Sequence, residues 1–170
     1  MLIYLKNMSI FKLTNFFLKL YCTFFYIGCI KFAPGTFGTL IAIPLYLIFL
    51  NDLSFITSFV VLIVFTIISS FIISISYSKK VFDNIDHKSI IIDEILAFLF
   101  ILLFFNSNIY QVIFSFLVFR FFDIYKPYPI NIIDKNIKSG FGVMLDDLAA
   151  AFYCYIVIDI FYLSKDFYVW

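Results

Sequence analysis

The chain has 170 residues and a formal net charge of +1; 64% of its residues are hydrophobic, 23% aromatic and only 14% charged, with a mean hydropathy of +1.07. Soluble domains carry about 45–50% apolar and about 25% charged residues, so these proportions exclude a disordered chain, a nucleic-acid-binding domain with a basic face and a small disulfide scaffold. They point to a helical protein in or against a membrane.

Part of the apolar excess follows the Phe, Ile, Tyr, Asn and Lys bias of an A/T-rich coding sequence. That bias makes the rare residues informative: one Arg (Arg120), one Glu (Glu94) and one His (His87). Residues 10–30 read as an amphipathic helix at the membrane interface, with Lys12 and Lys19 snorkelling outward and no small-residue cleavage site after it. Cys22, Cys29 and Cys154 lack paired spacing and lie in apolar runs, so all three read as small buried hydrophobes.

Residues 38–50 are apolar but short, Pro44 kinks them, and Asn51-Asp52 makes a turn. Residues 53–78 form the longest charge-free run and contain no Pro or Gly; as a helix they measure roughly 39 Å, enough to span a bilayer. Residues 90–105 and 109–122 pair around Asn106-Ser107-Asn108, and 148–163 form the last span. The expected fold is an all-α, membrane-associated bundle: two helical hairpins between an N-terminal interfacial helix (1–27) and a C-terminal helix. Nothing marks a linker or repeat, so residues 1–170 are expected to form one domain.

The turns near 51 and 106–108 lack Lys and Arg. Loops on the other side carry Lys31, Lys79, Lys80, Lys88, Arg120, Lys126, Lys135 and Lys138, which makes that side cytoplasmic by the positive-inside rule. Eight of the 11 acids fall in three segments on that same side: Asp83, Asp86, Asp93 and Glu94; Asp123 and Asp134; Asp146 and Asp147. Two crossings separate the first segment from the second and none separates the second from the third, so all three emerge together, as one shared site requires.

Asp93 and Glu94 open an apolar run, where unpaired carboxylates are costly. Asp146 and Asp147 open the predicted last helix, where its dipole favours anions. Clustered carboxylates with one His and no paired Cys suit a hard cation such as Mg²⁺. In FRFFDIYKPYPI (119–130), Arg120, Asp123 and Lys126 recur at threes on one helical face, and Arg with Lys suits a phosphate beside a metal. The loop Ala33-Pro34-Gly35-Thr36-Phe37-Gly38-Thr39 can aim backbone amides at an anion.

Together these segments resemble the phosphatidylglycerophosphatase A family of bacterial membrane lipid phosphatases. The resemblance covers about residues 28–152 and rests on APGTFGT (33–39), Pro44, DHKSIIIDE (86–94), FRFFDIYKPYPI, Asp134 and GFGVMLDDLAA (140–150). Departures are Tyr26 and Lys31 in place of Gly and Pro, Ala97, Ala151 and Ser139 in place of Gly, and Thr39 in place of Ser; none removes a carboxylate, Arg120 or Lys126.

The resemblance implies a central helix surrounded by others, and a Mg²⁺-dependent hydrolase in the bacterial inner membrane with its site facing the cytoplasm. Such an enzyme converts phosphatidylglycerophosphate to phosphatidylglycerol and phosphate. On that reading Asp93, Glu94, Asp123, Asp146 and Asp147 hold Mg²⁺, and Arg120, Lys126 and Thr36 bind the phosphate. Asp86 and His87 complete the catalytic set with Arg120 and Lys126, His87 protonating the leaving glycerol oxygen. Attack by water and a covalent aspartyl-phosphate both remain open.

Other lipid enzymes fit less well, since the DGxxAR run of CDP-alcohol phosphatidyltransferases and the PSGH run of type 2 phosphatidic acid phosphatases are absent. The alternative of a different class is a small membrane transporter or ion-binding protein, which would hold its acids near mid-membrane on discontinuous helices.

Overall fold

The computed structural model describes residues 2–105 and 109–167. Among these the regular elements are all helical: α1 (Leu2–Cys22), α2 (Pro34–Leu45), α3 (Phe55–Ser78), α4 (Ile92–Phe104), α5 (Ile109–Tyr125), α6 (Ile130–Asn136) and α7 (Gly140–Phe167). A 3₁₀ turn at Ile27–Cys29 and a π turn at Tyr46–Leu50 complete them. The all-α expectation holds, with α2/α3 and α4/α5 as the two hairpins. The predicted turn at Asn106-Ser107-Asn108 lies outside the described residues. Pro44 removes an amide that α2 would use, and the backbone widens into the π turn two residues later.

The centre of the bundle is α4. Beyond Asp93 and Glu94 in its first turn it is apolar on every side, nine of its thirteen residues are buried, and it packs against α2, α3, α5 and α7. A helix with no polar face belongs inside a bundle.

Around it, α3 is built inside out. Ser58, Ser69, Ser70 and Ser76 are buried with Leu62 and Ile73, whereas Ile56, Val60, Phe65 and Phe71 are exposed. Small polar residues facing in and large apolar ones facing out is the arrangement of a helix solvated by lipid. The serines also join helices: Ser69 Oγ meets the Tyr21 hydroxyl of α1 at 2.8 Å, and Ser74 Oγ accepts the Gly140 amide of α7 at 3.0 Å. Phe55–Ser78 and Gly140–Tyr162 are long and apolar enough to cross a membrane. The other predicted spans are shorter than the ~20 residues a full crossing takes.

Two expectations are corrected. The last helix starts at Gly140, not near 148, because a side chain there would strike the Ser70 carbonyl while glycine lets α7 seat against α3. Asp146 and Asp147 therefore lie in the second turn of α7, and the dipole explanation fails, since that effect is confined to the first turn. Cys22 and Cys154 are buried as expected but Cys29 is exposed. The chain leaves α1 through left-handed Phe24, Phe25 and Tyr26, and in the 3₁₀ turn that follows Gly28 is buried while Cys29 faces out.

Candidate metal and phosphate site

Antiparallel hairpins bring the start of α2, the start of α4, the end of α5 and the second turn of α7 to one end of the bundle. There Asp93 and Glu94 of α4 meet Asp147 of α7, with one carboxylate oxygen from each lying within 4.8 Å of the others. Asp93 is 5% exposed and Asp147 is 4% exposed. Glu94 Oε2 is buried without a hydrogen-bond partner. Three ionised carboxylates withdrawn from water repel one another, and a bound cation would relieve that repulsion. The buried acidic cluster can bind a metal ion, and its all-oxygen donor set suits a hard divalent one.

Beside the cluster, Arg120 Nη1 pairs with Asp123 Oδ2 at 2.5 Å and stands 4.0 Å from Glu94 Oε1. It also donates to Thr39 Oγ1 at 3.5 Å, while its Nε is buried without a partner. Thr39 is fully buried and fixes its hydroxyl by donating to the Gly35 carbonyl at 2.9 Å. Gly35 leaves room for this junction, because a Cβ there would run into the Glu94 carboxylate and crowd both Arg120 Nη atoms.

Lys126 serves a second pair of acids. It sits just past α5 in a left-handed conformation, before Pro127, and pairs with Asp146 of α7 and, at 3.3 Å, with Asp134 of α6. Burial alone would lower its pKa; Asp146, Asp147 and Asp134 outweigh that and hold the ammonium well above the usual lysine value. The predicted single face of Arg120, Asp123 and Lys126 is therefore divided. Arg120 and Asp123 stay on the helix, and Lys126 turns away to α6 and α7.

Asp86 and His87 lie in the loop between α3 and α4. Asp86 is exposed, and close enough for its charge to act on Asp93 and Asp146. His87 is half-buried against the Phe82 ring, 5.4 Å between centroids, and its Nδ1 accepts the Ser89 amide at 3.2 Å. In the neutral ring the proton therefore sits on Nε2. Thr36 lies half-buried in the first turn of α2, one turn before Thr39.

Of the five predicted metal ligands, the structure brings together Asp93, Glu94 and Asp147. Asp123 faces Arg120, and Asp146 faces Lys126. Adjacent helical residues point about 100° apart, so Asp146 and Asp147 serve different partners. Sequence reasoning gave no role to Thr39, Gly35 or the Asp134–Lys126 pair. Thr39 stands four residues after Gly35, the spacing of one helical turn, and that was the available signal.

The family model of phosphatidylglycerophosphatase A matches residues 20–162 of the chain. A phosphatidylglycerophosphatase A of Haemophilus influenzae is 36% identical over 135 residues, covering 77% of this chain and 80% of that protein. The Escherichia coli protein of the same name is 32% identical over 129 residues, 72% of this chain and 70% of that one. A Bacteroides thetaiotaomicron protein provisionally named a phosphatidylinositol-3-phosphatase is 32% identical over 138 residues, 77% of this chain and 84% of its own. No solved structure matches the chain.

Proposed function

The chain belongs to the phosphatidylglycerophosphatase A family, and from that premise we propose that it hydrolyses phosphatidylglycerophosphate to phosphatidylglycerol and phosphate at the acidic end of its bundle. It is a phosphoric monoester hydrolase of phospholipid metabolism, with residues 1–170 forming one catalytic domain. The observation that carries the site assignment is the meeting of Asp93, Glu94 and Asp147 beside Arg120.

Asp93, Glu94 and Asp147 would hold Mg²⁺, with Asp123 and Asp146 behind them; the unpaired Glu94 oxygen and the all-oxygen donor set fit that ion. Bound there, Mg²⁺ would supply charge neutralisation for a phosphoryl group. Arg120 would grip the phosphate with its planar fork, its orientation fixed by Asp123 and Thr39. Lys126, held by Asp134 and Asp146, would add a second positive charge, and the Thr36 hydroxyl a hydrogen bond. His87, carrying its proton on Nε2, would donate it to the leaving glycerol oxygen, with Asp86 beside it in the loop.

Membrane association follows from the two apolar helices and the family. We read α3 and α7 as spanning a bacterial inner membrane with the acidic end in the cytoplasm. The lysine-rich loops at that end and the lipid-facing exterior of α3 support this reading. A transporter is not favoured, since the acids gather at one end of the bundle rather than halfway along it. The test is phosphate release by the purified protein from phosphatidylglycerophosphate and from phosphatidylinositol 3-phosphate. Faster turnover of the first supports the assignment; preference for the second contradicts the substrate.

A further inference from the structure

An apolar cavity of about 780 Å³ lies between α1, α2 with its π turn, α3 and α4. None of its lining residues is charged, and the one lining hydroxyl, on Tyr21, is engaged with Ser69. Along α4 the wall is made by Ile92, Leu96 and Leu99, spaced to share one face over about 10 Å of helix.

Two features fix where the cavity runs. At one end Ile92 lines it, and the next residue, Asp93, is in the carboxylate cluster. The Cys22 carbonyl accepts the Ile91 amide at 3.0 Å, which ties the Tyr21 wall to the same level. At the other end stand Leu50 and Leu53, at the turn between α2 and α3. The side is open, and lining residues such as Phe49 and Phe65 are themselves exposed, 65% and 48%. The cavity thus opens to the apolar exterior of the bundle on one side, and its head at Ile92 lies one residue from the carboxylate cluster.

Resting on the lipid phosphatase reading above, we propose that this cavity holds an acyl chain of the phospholipid substrate. A chain entering from the apolar exterior would lie along α4, and its glycerol end would emerge beside Asp93, where the terminal phosphate meets Arg120. An apolar space of this size favours an apolar occupant over water. Binding energy from the non-reacting chain then serves to position the reacting end.

The experiment measures kcat/KM in mixed micelles at fixed surface fraction. The substrates are phosphatidylglycerophosphates of increasing acyl length and the chain-free headgroup, glycerophosphoglycerophosphate. The wild-type protein is compared with Leu96→Trp and the milder Val61→Phe, both of which fill the cavity. Expected is a rise of at least about tenfold in kcat/KM from short to long chains. Each variant is expected to lose about tenfold on the long-chain substrate and nothing on the chain-free one. A wild-type rate independent of chain length, or equal losses on both substrates in both variants, would overturn the proposal. A wild-type protein that releases no phosphate from any of these substrates would instead overturn the function it rests on.

Discussion

Lys126 and Asp146 form an ion pair between the end of α5 and the second turn of α7, and Asp134 of α6 holds the same ammonium from the other side. This arrangement sets Lys126 at the edge of the carboxylate cluster rather than beside Arg120. Lys126→Met leaves Asp146 as a buried unpaired acid, so it is expected to lower both activity and thermal midpoint. Lys126→Arg keeps the charge and the stability, but loses about tenfold or more in kcat/KM because the fork replaces a point charge. Asp134→Asn is the milder lesion, with KM rising more than kcat falls. A Lys126→Met protein of wild-type kcat/KM would remove Lys126 from the site.

The pH response of Lys126 has a definite sign. Its pKa is raised above the ordinary 10.5 in the folded protein. Its contribution to stability is therefore complete below that ordinary value and is lost only as the pH rises through the higher folded one. It stays charged throughout the neutral range. The alkaline limb of the pH–rate profile should lie at the same pH in wild type and Lys126→Arg; a limb that moves with this substitution would contradict the assignment.

Metal binding should report on three carboxylates before the others. Added Mg²⁺ is expected to raise the thermal midpoint of the wild-type protein, since a ligand that binds only the folded state stabilises it. Asp93→Asn, Glu94→Gln and Asp147→Asn should each weaken that response by more than the about 10–100-fold that loss of an outer-sphere partner costs in metal affinity. Asp123→Asn should fall within that outer-sphere range. Equal losses at Asp123 and Asp147 would mean that the ligand set is wider than the geometry indicates.

Gly35 separates packing from chemistry. A Cβ there meets the Glu94 carboxylate and the Arg120 guanidinium, so Gly35→Ala should cut kcat/KM by at least about tenfold through displacement of both groups. The fold should tolerate it, because alanine favours a helix over glycine by about 1 kcal/mol. Wild-type activity in Gly35→Ala would show that the Glu94–Arg120 junction is not part of the site.

Much of this arrangement was legible in the sequence because the informative residues are rare. The sole Arg and the sole Glu form an ion pair, with Arg120 Nη1 4.0 Å from Glu94 Oε1, and the acidic segments do gather at one end. The charge-free run 53–78 became α3 nearly to the residue, capped by Ser54. What stayed hidden depends on backbone turns and tertiary contacts. No local pattern shows that Lys126 adopts a positive φ and leaves the helical face of Arg120. The early start of α7 depends on Ser74 meeting the Gly140 amide from a distant helix. Phe141, Val143, Met144 and Leu145 already carry the apolar pattern ahead of Asp146, but Gly140 and Gly142 interrupt it and so make the helix start read too late.

The central claim is that Asp93, Glu94 and Asp147, beside Arg120, are the catalytic centre of a lipid phosphatase. Phosphate release from phosphatidylglycerophosphate by the purified protein tests it most directly, measured with Mg²⁺, with EDTA, and with Asp147→Asn. The account predicts release with Mg²⁺, none with EDTA, and a fall on the order of 10²–10³-fold in kcat for Asp147→Asn. Release unchanged by EDTA and by Asp147→Asn would contradict it.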